Sequence, residues 1–590
     1  MSNTKIFDVI ITLLLTFLII FTPLAYGTVE VWSVWIMQTA IALMTLFFIL
    51  SLSRQKQIIS TYLYIPIILF ILLILIQIIP MPKTILKLIS PTAYNIYSSV
   101  ISPIKQWAWN SLSLNSYATY IELLKVISYA LLFFVIINTI KSGKDIEKIF
   151  YIIIITGFII SFFAIIQKYA GAQKIYWLRS RTRGGGLFGP FVNRDHFAGY
   201  ISMVIPLGLS LLFILGKTEK KILLGFTIVI MIIALIYSVS RGGVLSFLGS
   251  MIFFSFLLFK YRKKDKNKIY YLGAIILTAV IFLFWLKVAP EMDRLSKIAA
   301  SERYTLDPRI PVWKDSLGMI KDYPVFGTGL GTYEYAFQRY RTHDMDSYFR
   351  NAHNDYLQVL TGTGITGFLI ILSFFIIYFK YILKTLNNVS KYNNFYLCIG
   401  GLSSVASILL HSFVDFNLRL PGNAFLFITI LALTYSSSRQ NNNTMDIKIN
   451  KSFIITSGII LIAIYSIFIT KNYIANINFK NSDFKKAVDR SPDNPRYRHR
   501  LGLRYQKLAS QPDISYNKKI NLLLKAEKQL EKSIILNPSY GRYLASYAWL
   551  MGNIGEKNRA LKYFNLAQEY YKDNEYIKNL KKRYIKRIEE

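Results

Sequence analysis

The 590-residue chain has one cysteine, five histidines and 32 acidic residues against 69 basic ones. Cys398, at the start of an apolar run, can form no disulfide within the chain and no cysteine-based metal site. No Ser-His-Asp order, zinc-ligand spacing or Walker motif is visible, so neither metal nor cofactor is expected. GTGLG at 327–331 lacks the last glycine of G-x-G-x-x-G and has no strand–helix context, so it reads as a turn in a loop and not as a dinucleotide site. Charged residues make up only 17% of the chain, 53% is hydrophobic, and the mean hydropathy is +0.37. A soluble globular protein is rarely so apolar over such a length. The shortage of acid leaves a formal net charge of +37. Much of that excess sits in short loops between apolar runs, where orientation signals lie, so nucleic acid is not the expected partner.

What is present is a series of runs of about 20 apolar residues, the length a helix needs to cross a bilayer. Thirteen spans are expected, at 7–26, 33–52, 61–80, 119–139, 148–168, 197–216, 221–239, 242–260, 269–289, 363–383, 395–413, 420–437 and 453–471. The first follows MSNTK without a small-residue cleavage site and reads as a retained helix. The Lys/Arg clusters from Arg54/Lys56 to Arg439/Lys448/Lys451 all follow even-numbered spans. One orientation therefore puts them in the cytoplasm and the long loops 81–118, 169–196 and 290–362 outside. The expected fold is all-α: a polytopic membrane helix bundle of 12–13 spans over 1–471, with a large extracytoplasmic loop at 290–362. After 472 the composition becomes soluble and helical. Ala526 and Ala560 are 34 residues apart, as are Leu530 and Phe564, and LGLRY at 501–505 fits the tetratricopeptide pattern. Residues 472–590 therefore read as a short α-solenoid on the outer side, with a concave face for a protein or glycan partner. An ordinary helical hairpin is the plainer alternative.

Two outer loops break the charge rule, and mostly with arginine. The first carries Arg179, Arg181, Arg183 and Arg194, the second Arg294, Arg303, Arg309, Arg339, Arg341 and Arg350. Arginine binds phosphate oxygens bidentately, so an anionic substrate at the outer face is implied. In RNAHNDY, His353 stands at the edge of a span beside Asn354 and Asp355, where an imidazole can accept a proton and a carboxylate can orient it. Gly362, Gly364 and Gly367 behind it suit a broken helix or close helix packing. Arg241, in SRGG between two apolar runs, is a charge at the bilayer edge that needs a cavity or a partner, unless it snorkels. FVNRDHFAGY brings Asn193, Arg194 and His196 to the head of another span, as an anion-binding entry or a lipid-headgroup anchor. Arg309 and Trp313 lie four apart on an expected helix. His411, Asp415 and Arg419 would share one face if their helix continued.

In order, FVNRDHFAGY, SRGG, Arg309-x3-Trp313, PVFGTGLGTY and HNDYLQVLTGTGITG resemble the O-antigen ligase and polysaccharide polymerase family over roughly 170–435. The helical tail departs from the minimal family plan. The resemblance implies metal-independent, inverting glycosyl transfer on the outer face of the inner membrane. It implies an undecaprenyl-diphosphate-linked glycan donor and a glycan or lipid acceptor. His353 would activate the acceptor hydroxyl and Arg241 would bind the pyrophosphate. Arg194 and Arg309, with Asn193, His196, Asn354, Asp355 and His411, are expected to line the substrate site. The rival reading is a transporter or flippase for an anionic or lipid-linked solute. It predicts charges near mid-membrane and repeats between halves, and the apolar runs show neither.

Overall fold

Long apolar runs surrounded by lipid have one economical answer, a helix that satisfies its own backbone. The computed structural model describes residues 3–53, 57–172, 174–180, 188–262, 270, 273, 309–342, 349–387, 392–439, 444–446, 451–572 and 574–589. Its first helices are α1 (Asn3–Leu24), α2 (Val31–Ser51), α3 (Tyr64–Ile78), α4 (Lys83–Ile89), α5 (Pro91–Ile101) and α6 (Ser116–Thr139). They are followed by α7 (Gly143–Tyr169), α8 (Arg194–Ile214), α9 (Thr218–Tyr237) and α10 (Arg241–Tyr261). Then come α11 (Arg309–Asp322), α12 (Tyr333–Ala336), α13 (Asp355–Leu386), α14 (Tyr392–His411), α15 (Pro421–Ser438) and α16 (Lys451–Lys480). Among the described residues ten helices are long and apolar enough to cross a membrane: α1, α2, α6 to α10, α13, α14 and α16. Helix α3 is apolar but shorter. The chain is thus an all-α polytopic membrane protein. The span expected at 269–289 lies outside the described residues, apart from positions 270 and 273, as do Arg181, Arg183, Gly184 to Gly186, Arg294 and Arg303.

Helices α8 and α15 form the centre. Every residue of α8 from His196 to Phe213 is buried, and so is every residue of α15 except the half-buried Ile428. Packing and polar contacts hold such helices together where lipid removes the hydrophobic difference. The Ser404 hydroxyl on α14, for example, donates to the Met203 carbonyl on α8 at 2.6 Å. The outer helices turn residues such as Leu13, Ile159 and Ile252 away from the bundle.

Helix α13 was expected to begin at 363, but it starts at Asp355 and breaks at Gly364 (φ 63°, ψ −169°). A break at this depth orphans four backbone groups, and all four find partners in the segment 324–329. Ile365 N–H donates to Pro324 O (2.8 Å) and Thr366 N–H to Val325 O (3.3 Å). Thr361 O accepts from Thr328 N–H (3.0 Å) and Gly362 O from Gly329 N–H (3.1 Å). Gln77 of α3 fastens the joint: its amide donates to Phe326 O (2.6 Å) and Gly362 O (2.8 Å) and its oxygen accepts from Leu330 N–H (3.0 Å). The GTGLG turn is therefore a plug seated in a helix break. Only glycine fits at its closest point, since a Cβ on Gly327 would sit 2.5 Å from Gly362 backbone carbon.

The tail is α17 (Phe484–Arg490), α18 (Pro495–Ala509), α19 (Tyr516–Leu536), α20 (Gly541–Asn553), α21 (Lys557–Tyr570) and α22 (Glu575–Glu589). α18 packs on α19 and α20 on α21. Ala526 and Leu530 of α19, and Ala560 and Phe564 of α21, are all buried. Helix α16 carries the chain into this region without a linker, running through 472 to Lys480. A Lys480–Glu30 contact (3.4 Å) brings its end to the start of α2. One hydrophobic cluster joins Tyr547 and Phe564 of the tail to Ile96 and Val100 of α5 and to Val312 and Met319 of α11. Tyr563 donates to Val100 O (2.7 Å) and Arg339 pairs with Glu569 (2.9 Å). At the other end of the bundle, β1 (Gln57–Ile59) pairs antiparallel with Thr444–Asp446.

Replacing Gly364 with alanine puts a Cβ 2.2 Å from Val325 O at a positive φ. Strain of this kind costs about 1–3 kcal/mol before any clash is counted. Gly364→Ala should lower the thermal unfolding midpoint in detergent well below wild type. Gly362→Ala, whose Cβ meets nothing nearer than 3.5 Å, should stay close to wild type.

Candidate functional site

Three of the expected arginines open helices: Arg194 is the first residue of α8, Arg241 of α10 and Arg309 of α11. Helix N-termini carry partial positive charge and unsatisfied N–H groups, so each adds to its arginine as a host for anions. Two of the caps are local. Asn193 Oδ1 accepts from Asp195 N–H at 3.0 Å, and Ser240 Oγ accepts from Gly243 N–H at 3.3 Å. Ser240 then donates to Asp195 Oδ1 (2.6 Å), which ties the head of α10 to the head of α8. Arg309 joins them by pairing with Asp195 Oδ2 (3.6 Å) and donating to the Val414 carbonyl. The glycines of SRGG serve packing. A Cβ on Gly242 would lie 2.6 Å from Val414 and 3.1 Å from His411, and one on Gly243 would lie 2.5 Å from Ala198.

His353 precedes the α13 cap and has φ +50°, an uncommon conformation that is held by its surroundings. On one side Trp313 Nε1 donates to Ala352 O (2.9 Å), and Ala352 N–H donates to Gln358 Oε1 (2.9 Å). On the other, Asn354 caps α13 through Leu357 N–H (3.0 Å) while its amide donates to Phe413 O (2.9 Å). Asp355 accepts from Ser412 Oγ (2.9 Å) and Leu418 N–H (3.2 Å), so it locks α13 to the end of α14 and faces away from His353.

The carboxylate that does face His353 is Asp415. Its Oδ1 lies 3.5 Å from His353 Nδ1, and its Oδ2 lies 3.8 Å from His196 Nε2. The Asp415 side chain is 1% exposed and that of His353 is 26%, so His353 is the accessible member of the pair. Phe416 stacks edge-on against both imidazoles, at 4.9 Å from His196 and 4.7 Å from His353. Asn417 donates to Asp415 (3.2 Å), and Asn423 donates to Asn417 (2.9 Å) and to His196 O (2.9 Å). Burial by itself would raise the Asp415 carboxyl. The imidazoles around it, His196 first and then His353 and His411, hold it below the usual carboxylate range.

The structure thus gathers Asn193, His196, Arg309, His353, Asn354, Asp355 and His411 around one turn, 412–419, with Arg194 and Arg241 at the adjoining helix heads. The expected helix through His411, Asp415 and Arg419 is not there. α14 ends at His411, and Arg419 turns to Glu122 on α6 (3.5 Å), which also pairs with Lys125 (2.9 Å). Beneath these charges, α3, α6, α13 and α15 enclose an apolar groove of about 310 Å³, walled by residues such as Phe70, Phe133, Val359, Phe374 and Phe427. The roles of Asp415, Asn417, Ser240 and Gln77 were not legible from the residues one by one. Polar side chains in otherwise apolar surroundings, as at Gln77 and in VDFN, were the available signal.

Asp415 gives a pH prediction. Its folded-state pKa is depressed, so its contribution to stability is present above the unfolded value, about 3.9. It is lost as pH falls below that value. Between about pH 4 and pH 2 wild type should lose more stability than Asp415→Asn, measured by thermal unfolding in detergent. At neutral pH, Asp415→Asn should already be less stable by about 1–3 kcal/mol.

Residues 226–372 match the family model described as O-antigen ligase. The chain is also 28% identical over 238 residues to an uncharacterized protein of Haemophilus influenzae, a match covering 38% of this chain and 59% of that protein. The family segment includes Arg241, Arg309, His353, Asn354 and Asp355, whereas Asn193, Arg194, His196, His411 and Asp415 lie outside it. Residues 226–372 therefore carry the O-antigen ligase family domain, and the residues gathered around the 412–419 turn come from within it and from both sides of it.

Proposed function

We propose that the protein is a glycosyltransferase on the outer face of the bacterial inner membrane, which polymerises or ligates an undecaprenyl-diphosphate-linked glycan with inversion and without a metal. The observation that carries this reading is an accessible imidazole backed by a buried carboxylate, beside helix N-termini that begin with arginine. His353 turns Nδ1 toward Asp415, which leaves Nε2 to take the proton of an acceptor hydroxyl. As the acceptor oxygen bonds to the anomeric carbon, the bond from that carbon to the phosphate oxygen breaks on the opposite face. The departing diphosphate gains charge, and Arg241 and Arg194, with the amides at the helix heads, stabilise it. Arg309 is committed to Asp195 and Val414 O, which fits a positioning role better than the substrate-lining role expected for it. The apolar groove next to Asp355 suits a polyprenyl chain. Residues 1–471 would form the catalytic membrane domain, and 472–590 a repeat-like extension on the same side.

The test is glycan transfer in proteoliposomes that contain the purified chain and a lipid-diphosphate-linked oligosaccharide from a producing strain, with chelator present. Wild type should form new glycosidic bonds. His353→Ala should lose about 10²–10⁴-fold in rate and Arg241→Ala about 10²–10³-fold, both at unchanged folding. Asp415→Asn should retain donor binding but turn over at least about 10²-fold more slowly. Translocation of the lipid-linked glycan without bond formation would replace this reading with a transporter.

A further inference from the structure

A second cleft, of about 450 Å³, opens where the tail meets the membrane bundle, well within the size range of ligand sites. One wall is Trp109 of the two-residue strand Trp109–Asn110 together with Tyr117 and Tyr120 of α6. The floor is Asn472 of α16 and the far wall is the α17–α18 turn, Arg490 to Asp493. We infer that this cleft is a carbohydrate site separate from the transfer site, one that seats a short stretch of glycan, two or three sugar residues, between tail and bundle.

The chemistry of the walls supports this. Sugar rings offer flat C–H faces that pack on aromatic rings, and hydroxyls that need donors and acceptors together. Trp109 is 60% exposed, so the face of a large ring is available. The floor is wired and rigid: Asn472 donates to Tyr120 OH (3.1 Å) and accepts from Tyr117 OH (3.4 Å) and Ser491 Oγ (3.2 Å). Ser111 and Ser116 pair at 2.7 Å and add further hydroxyls to the wall. Asp493 lines the cleft together with the cations Lys471 and Arg490. A seat for an anionic lipid headgroup has no use for that carboxylate, whereas a sugar hydroxyl donates to it readily. The cleft also connects mechanically to the transfer site. Ser113 Oγ lies 2.3 Å from where a Cβ on Gly329 would be, and Leu114 N–H donates to Thr328 O (3.0 Å), both within the plug that closes the α13 break. A glycan chain held here would be tethered on the side where His353 stands. This deepens the glycosyltransferase reading and rests on it for the class of ligand.

The test is binding, which needs no turnover. The full-length chain, in phosphatidylcholine nanodiscs, is applied to a printed array of bacterial surface oligosaccharides. Wild type should capture at least one oligosaccharide class. Trp109→Ala and Asp493→Ala, both exposed positions, should weaken capture about tenfold or more, with the unfolding midpoint unchanged. Trp109→Tyr should stay within about threefold of wild type because it keeps an aromatic face. His353→Ala should keep the Trp109-dependent capture. No capture, capture indifferent to Trp109→Ala, or capture lost in His353→Ala alone would overturn the second site. So would capture abolished when phosphatidylglycerol replaces phosphatidylcholine, which would mark a headgroup seat. Failure of the glycosyltransferase reading would show separately, as absence of bond formation by wild type in proteoliposomes.

Discussion

A helix in lipid cannot leave backbone groups unpaired, and this constraint shapes the region that matters most here. Gly364 interrupts α13, and the four groups it frees are all taken up by Pro324 to Gly329. The plug cannot shift without exposing those groups, so it fixes the end of helix α11, whose Trp313 in turn holds Ala352 next to His353. Gln77 on α3 and the Leu114 N–H before α6 hold the same plug. A strained histidine backbone at φ +50° is sustained because every segment flanking it is bound elsewhere.

The second organising feature is one buried carboxylate. Asp415 lies among three imidazoles and a carboxamide, in a turn that would otherwise have little to fold around. Burial of a charge is costly unless it is paired and hydrogen-bonded, and here the partners come from α8, α14 and the segment before α13. Electrostatics thus decides where those elements meet. Asp195 repeats the device on a smaller scale by linking Ser240 and Arg309. Two acidic groups, in a chain poor in acid, position the basic ones.

The tail shares a hydrophobic cluster with α5 and α11, so it is built into the end of the molecule where His353 lies. The long helix α16 sets that side, since it leaves the bundle at Lys480 beside Glu30. Between tail and bundle the surfaces do not close completely, and the cleft at Trp109 is what remains.

Periodicity and length placed ten of the thirteen expected spans, because a lipid-facing helix must be apolar over about 20 residues whatever its neighbours are. Spacing also joined Arg309 to Trp313 on one helix, and position along the chain singled out Arg241 as a charge at the bilayer edge and His353 and Arg194 as polar residues at the heads of spans. What sequence could not supply was pairing across distance. Asp355, two residues from His353 in the chain, faces Ser412, and Asp415, sixty-two residues from His353, faces the imidazole instead. GTGLG read as an unremarkable turn because its partner is a break in another helix. Local sequence determined which segments are helices and which residues are too costly to be idle. Only the tertiary structure decided which of them meet, because the energy of burying a charge or an unpaired backbone group depends on what the rest of the chain brings to it.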